Sequence, residues 1–221
     1  MKSRAIEAIL FDFDGTLAPN LDLPDMRRRV IDLTVQQSVP EPVYIDCYIV
    51  EIIDAASDWL RAHGESDKAE KYYQAAHQLI IDIELDEAKG TSPFPQVQAY
   101  LQNLQAAGIA TGVVTRNCRA AVYEVFPDID QHIHSVCARD DVDFFKPDPR
   151  HLTECLGHLS VIPENAAMIG DGRMDMSVGK ELGMYCVGVC SGSSSAEELK
   201  NAGADVVFEY CYEFQPGSIS Y

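Results

Sequence analysis

Ala5-Ile6-Glu7-Ala8-Ile9-Leu10-Phe11 runs straight into Asp12-Phe13-Asp14-Gly15-Thr16. The first seven residues are apolar apart from Glu7, which is the pattern of a strand buried on both faces, and two acids and a glycine then stop it in a turn. Short runs of the same kind recur at Ile109 to Val114, Ile133 to Cys137, Ala166 to Ile169, Tyr185 to Val189 and Asp205 to Phe208. Between most of them lie helix-type stretches: Pro95 to Ala107, Arg119 to Phe126, Pro149 to Leu159, Met174 to Leu182 and Ser195 to Ala202. Strands alternating with helices at this spacing predict an α/β protein, a doubly wound parallel sheet covered on both faces. Such sheets bind ligands at the carboxyl ends of their strands.

Leu21 to Lys89 breaks the alternation. It shows helical periodicity only, in three predicted helices over Pro24 to Gln37, Val43 to His63 and Ser66 to Ala88. In the third, Ala69, Tyr72, Tyr73, Ala76, Leu79, Ile80 and Ile83 recur at threes and fours and mark one buried stripe. The expected organisation is therefore a core of residues 1–18 and 90–221 with a small helical cap, 19–89, inserted after the first strand. Its two connections would act as hinges beside the end of that strand.

The composition narrows the function classes. With 47% hydrophobic and 24% charged residues among 221, the chain can bury a sizeable core. Seventeen Lys and Arg against 35 Asp and Glu leave a formal charge of −18. That argues against a general nucleic-acid or anionic-membrane partner, which needs a basic face. The basic start Met1-Lys2-Ser3-Arg4 resembles a signal peptide, but the following stretch carries Glu7 and runs into Asp12 with no small-residue cleavage site, so export is not expected. Seven scattered cysteines with no Cys-x-x-Cys pair fit reduced thiols in a cytoplasm. The longest apolar run elsewhere, Met184 to Cys190, is far short of the ~20 residues that cross a bilayer.

Four clusters fall at predicted strand ends. In Asp12-Phe13-Asp14-Gly15-Thr16 the two acids, two residues apart, are expected to face the same way. At about 4 Å and an effective dielectric near 20 they repel by roughly 4 kcal/mol, so a cation must offset them or one must hold a proton. Thr115-Arg116-Asn117 ends a strand with groups suited to an anion, although taken alone an ordinary helix cap by Thr115 or Asn117 with a solvated Arg116 is the better reading. Lys146-Pro147-Asp148-Pro149 presents one lysine on a loop stiffened by prolines. Gly170-Asp171-Gly172-Arg173-Met174-Asp175 delivers one acid at a strand end and a second four residues on, where capping is the bland alternative.

Taken in order, Asp-x-Asp-Gly-Thr, Thr115, Lys146-Pro and Gly-Asp-x-x-x-Asp resemble the four motifs of the haloacid dehalogenase superfamily. A closing stretch, Val189, Gly192, Glu197-Glu198-Leu199 and Ala202-Gly203-Ala204-Asp205, is similar to its phosphoglycolate-phosphatase-like branch, as is a helical cap after the first motif. After Thr16 the sequence runs Leu17-Ala18-Pro19-Asn20, where the branch carries Asp-Ser. The resemblance implies a Mg²⁺-dependent phosphatase of small phosphorylated metabolites. Asp12 would be the nucleophile that forms an aspartyl-phosphate, and Asp14 the general acid and then base. Mg²⁺ would lie on the Asp12 carboxylate, the Asp14 backbone carbonyl and Asp171, supported by Asp175. Thr115, Arg116, Asn117, Lys146 and Thr16 would bind the phosphoryl group, Thr115 and Lys146 also stabilising the charge in transfer.

A dehalogenase would leave Asp14 and the metal acids idle. A phosphonatase would need a cap lysine in an apolar setting, which Lys68, Lys71 and Lys89 do not have. A phosphomutase of the same superfamily uses the same residues and stays open, as does a non-catalytic protein that binds metal and phosphate. Arg27-Arg28-Arg29 in the first cap helix cannot all face one way at ~100° per residue, so at least two are expected on a solvated face. His132 and His134, without a third ligand nearby, read as surface or packing residues.

Overall fold

In a computed structural model, which describes residues 5–218, β1 (Ala8–Phe11) is the central strand and all four of its residues are buried. The remaining strands are β2 (Ala110–Val114), β3 (Ser135–Cys137), β4 (Ala166–Gly170), β5 (Tyr185–Val189) and β6 (Val206–Phe208). All pair in parallel in the order β3-β2-β1-β4-β5-β6. The chain winds outward from β1 through β2 and β3, then crosses to the other side of β1 with β4. This reversal opens a crevice at the carboxyl end of β1, between β2 and β4. The doubly wound α/β fold expected from the sequence is thus the one observed. The start Met1-Lys2-Ser3-Arg4 lies outside the described residues.

Alternation along the strands assigns the two faces. Ala8 and Leu10 join Val114, Ala166 and Met168 in a cluster that α6 (Arg150–Leu159) covers with Leu152, Cys155 and Leu156. Phe11 faces the opposite side, edge-on to Tyr100 of α4 (Val97–Ala106) with ring centroids 6.2 Å apart. The Tyr100 hydroxyl is buried and donates to the Phe214 carbonyl at 2.9 Å, which ties the C-terminal stretch to the same face. Three further helices complete the layers: α5 (Arg119–Val125), α7 (Arg173–Glu181) and α8 (Ala196–Asn201).

The chain divides into two compact units, one taking residues up to Leu21 and from Ala88 onward, the other Asp22–Glu87. The second unit holds α1 (Leu23–Val35), α2 (Ile49–Ala62) and most of α3 (Ser66–Ala88). The Asp22 side chain caps α1 by accepting from the Asp25 N–H at 3.0 Å. Ala69, Tyr72, Ala76, Ile80 and Ile83 form the buried stripe of α3, with Tyr73 and Leu79 at its margins. The Tyr72 hydroxyl meets Thr34 Oγ1 of α1 at 2.7 Å.

The predicted helix from Val43 is corrected here: α2 starts only at Ile49. Glu41–Val43 form a single 3₁₀ turn, and the segment behind it is held open by Arg27. The Arg27 guanidinium donates to the carbonyls of Cys47 and Ile45, each at 2.6 Å, and so takes acceptors that a regular helix would use. Arg28 and Arg29 lie exposed on the other side of α1 and pair with Asp25, Arg28 also with Asp32. Replacing Arg27 with Met should therefore cost about 1.5–3 kcal/mol through its two charge-assisted bonds. Arg28→Ala should leave the denaturation midpoint unchanged, and urea unfolding of both variants measures the contrast.

Candidate active site

The four motif clusters meet at the carboxyl end of the sheet. β1 carries Asp12 to the crevice, where its N–H donates to the Ile169 carbonyl of β4 at 2.9 Å. The next N–H, of Phe13, turns back onto Asp12 Oδ1 at 2.8 Å and fixes the plane of the carboxylate. The turn that follows needs Gly15, whose φ is +78°. A Cβ there would also stand 2.7 Å from the Asp171 carboxyl group and 2.5 Å from Asn20 Oδ1. β4 ends at Gly170 and delivers Asp171, and α7 starts at once, so that Asp175 sits in its first turn.

Lys146 joins these acids. Its ammonium lies 2.9 Å from Asp12 Oδ1 and 2.7 Å from Asp175 Oδ1, and Lys146 and Asp175 are each only 2% exposed. Asp175 Oδ2 accepts from the Gly172 N–H at 3.1 Å, so this acid both caps α7 and binds the lysine. Asp12, Asp171 and Asp175 each place a carboxylate oxygen within 4.8 Å of the others, and no other such group of three occurs among the described residues. Burial works against the charged lysine, yet Asp12 and Asp175 hold it well above the ordinary lysine range. Burial pushes Asp175 up to about 7 and raises Asp171, with the charge of Asp12 adding to both.

Three buried or half-buried carboxylates against one ammonium leave the cluster short of positive charge. A divalent cation fits that deficit, and an all-oxygen donor set suits a hard cation such as Mg²⁺. Asp12 Oδ1 and both oxygens of Asp175 are occupied by N–H groups, and Asp171 Oδ2 accepts from Ser193 N at 2.6 Å and Oγ at 2.8 Å.

Other residues singled out in the sequence are placed as follows. The Asp14 carboxylate lies outside the group of three acids. The Asn117 amide donates to both its oxygens, at 3.1 and 3.2 Å, and Asn117 Oδ1 accepts from the Cys118 N–H at 2.8 Å, which fixes which way the amide points. Asn117 thus meets Asp14 directly. Thr115 is buried at the end of β2; its N–H donates to Cys137 O at 3.2 Å and its Oγ1 accepts from the Asn117 N–H at 3.0 Å. Thr16 is buried with no hydrogen-bond partner for Oγ1 among the described residues. The Arg116 side chain donates to the Lys146 carbonyl at 2.7 Å and covers the Phe145 ring, clamping the lysine loop. His132 stacks on Phe126, and His134 Nδ1 lies 3.1 Å from the Thr111 N–H and 2.9 Å from its hydroxyl. His132 is thus a buried packing residue and His134 an exposed one, as expected of a surface or packing pair.

Sequence reading missed His151, Arg139, Ser191 and Ser193. His151 is fully buried on the apolar stripe of α6 one turn before Cys155, a polar side chain where an apolar one belongs. Its Nδ1 accepts from the Lys146 N–H at 3.1 Å and its Nε2–H donates to Cys137 O at 3.0 Å. Arg139 binds the Arg116 carbonyl through its guanidinium and the Asn117 carbonyl through its N–H.

A family model described as haloacid dehalogenase-like hydrolase matches residues 9–189. The chain belongs to that family. A phosphoglycolate phosphatase of Yersinia pestis is 25% identical over 225 residues, covering 98% of this chain and 94% of that protein. In fold, the chain is similar to a hydrolase from Pseudomonas syringae of known crystal structure, with a TM-score of 0.68 and 20% identity over 92% of this chain and 94% of the other. It is also similar to a β-phosphoglucomutase of Clostridium difficile, with a TM-score of 0.66 and 17% identity over 95% and 93% of the two chains. Among the described residues, no helix is long and apolar enough to cross a membrane.

His151 makes the lysine loop sensitive to acid. Burial, with the charge of Lys146 adding, lowers it to about 4 from an ordinary value of 6.5. The unfolded chain therefore takes up a proton on this ring that the folded one refuses. The stability it protects is complete above pH 6.5 and is lost as the pH falls from there to about 4. Over that window the wild type should lose on the order of 3 kcal/mol more than His151→Gln, measured by urea denaturation at a series of pH values.

Proposed function

We propose that the chain is a Mg²⁺-dependent phosphatase of small phosphoesters, working through an aspartyl-phosphate on Asp12, with residues 19–89 as its cap and the cytoplasm as its place of action. The observation that carries this reading is the buried Lys146 between Asp12 and Asp175, with Asp171 in the same cluster. The phosphoglycolate phosphatase likeness supports the substrate class, a small phosphorylated metabolite.

In this reading Asp12 attacks phosphorus with its carboxylate, whose orientation Lys146 and the Phe13 N–H fix through Oδ1. The bond from phosphorus to the ester oxygen breaks, and Asp14 gives that oxygen its proton. Asp14 then takes a proton from water as the water attacks phosphorus. The bond between phosphorus and Asp12 breaks, releasing phosphate and restoring the carboxylate. The Asn117 amide keeps Asp14 in place through both steps. Thr115, the Arg116 N–H and Lys146 stabilise the phosphoryl oxygens, and Thr16 contributes its hydroxyl, unpartnered among the described residues, to the same group. Asp12, the Asp14 backbone carbonyl and Asp171 would hold the Mg²⁺, with Asp175 supporting them. When bound, the ion supplies the counter-charge that lets a carboxylate approach a phosphate dianion.

Two measurements test this. Asp12→Asn should abolish phosphate release, a loss of at least about 10⁴-fold, while circular dichroism stays that of the wild type; turnover at the wild-type rate would refute the nucleophile. Across a panel of phosphorylated metabolites, release should depend on Mg²⁺ and stop with EDTA. Ligand binding with no hydrolysis of any of them would instead favour a non-catalytic protein.

A further inference from the structure

The loop after β5 lies beyond the matched residues 9–189, yet it touches Asp171, one of the proposed metal-holding groups, and Gly15, the neighbour of Asp14. Ser193 donates twice to Asp171 Oδ2, from its N–H at 2.6 Å and from its hydroxyl at 2.8 Å. Two donors on one oxygen leave Oδ1 as the atom with its lone pairs available. Between the two serines, Gly192 runs so close beneath that carboxylate that a Cβ would stand 2.1 Å from Oδ2. Only a residue without a side chain lets the loop approach in this way. Ser191 makes the second connection: its hydroxyl donates to the Gly15 carbonyl at 2.6 Å. The Gly15 N–H is itself bound to Ala18 O at 2.7 Å. Because a trans peptide points its N–H and C=O in opposite directions, that bond aims the Asp14 carbonyl away from Ala18.

We propose that Ser191-Gly192-Ser193 is a strap that orients the metal site, and that Ser193 is a positioning residue for it. By holding Oδ2, Ser193 commits Asp171 to bind the cation through Oδ1, while Ser191 steadies the turn that carries the Asp14 carbonyl. This rests on the metal reading under Proposed function. Hydrogen-bond partners of metal-binding carboxylates typically change metal affinity 10- to 100-fold when removed. The Ser193 N–H survives substitution of the side chain, so the lower end applies. Ser193 is exposed and Asp171 is buried, so trimming the serine leaves the core packing untouched.

The test is Mn²⁺ binding to the full chain, read by electron paramagnetic resonance of free Mn²⁺, with thermal unfolding in EDTA as the control for folding. Ser193→Ala should weaken Mn²⁺ about tenfold while its melting in EDTA matches the wild type. Ser193→Thr, which keeps the hydroxyl, should restore affinity to within about threefold of the wild type, and Gly192→Ala should weaken it further than Ser193→Ala. Wild-type affinity in Ser193→Ala overturns the role of the strap while leaving the metal site standing. Failure of the wild type itself to bind Mn²⁺ overturns both.

Discussion

A single buried ammonium holds this site together. Asp12 comes from the end of β1 and Asp175 from the first turn of α7, and Lys146 lies within 3 Å of both while almost wholly shielded from water. Removing one partner of such a group leaves an uncompensated buried charge, which typically costs about 3–5 kcal/mol. Much of the surrounding polar structure serves to keep the lysine where it is. His151 holds its N–H and Arg116 its carbonyl, and the Cys137 carbonyl orients His151 in turn. One cation for three acids is still too few, and that imbalance is the physical reason to expect a divalent ion.

The site also depends on where the sheet reverses direction. β1 in the middle, with β2 and β4 on either side, brings residues far apart in sequence to one crevice, as with Asn117 and Asp14 across 103 positions. The acidity of the whole chain makes this local arrangement matter more. At −18 the overall field repels a phosphate dianion, so on the proposed function its attraction would have to come from a few fixed donors and a bound cation.

Much of this was legible in the sequence. Continuous apolar runs such as Ala8–Phe11 mark strands buried on both faces, and their alternation with helical stretches leaves few topologies open. Asp12, Asp171, Asp175 and Lys146 could be picked out because their clusters, each of which alone passes for a turn, a cap or a loop charge, follow one another in the order of a known family's motifs. What escaped was pairing that no local pattern encodes. Arg27 unwinds the start of the second helix by taking two carbonyls about twenty residues away, and periodicity alone reads straight through that segment. The Asn117 amide reads as a ligand for phosphate, and its bond to Asp14 leaves no mark in the local sequence. Ser191 and Ser193 sit in a Ser and Gly stretch that reads as a plain loop until Asp171 and Gly15 are seen against it.

Under the proposed function, acids from the ends of β1 and β4 share one divalent cation. Crystals grown with Mn²⁺ and measured at the manganese absorption edge address it most directly. One strong anomalous peak is expected with the Asp12 and Asp171 carboxylates at roughly 2.0–2.3 Å, near the bonding distances of small hard cations to oxygen. A map with no peak between them, or with Asp171 turned away towards solvent, would contradict it.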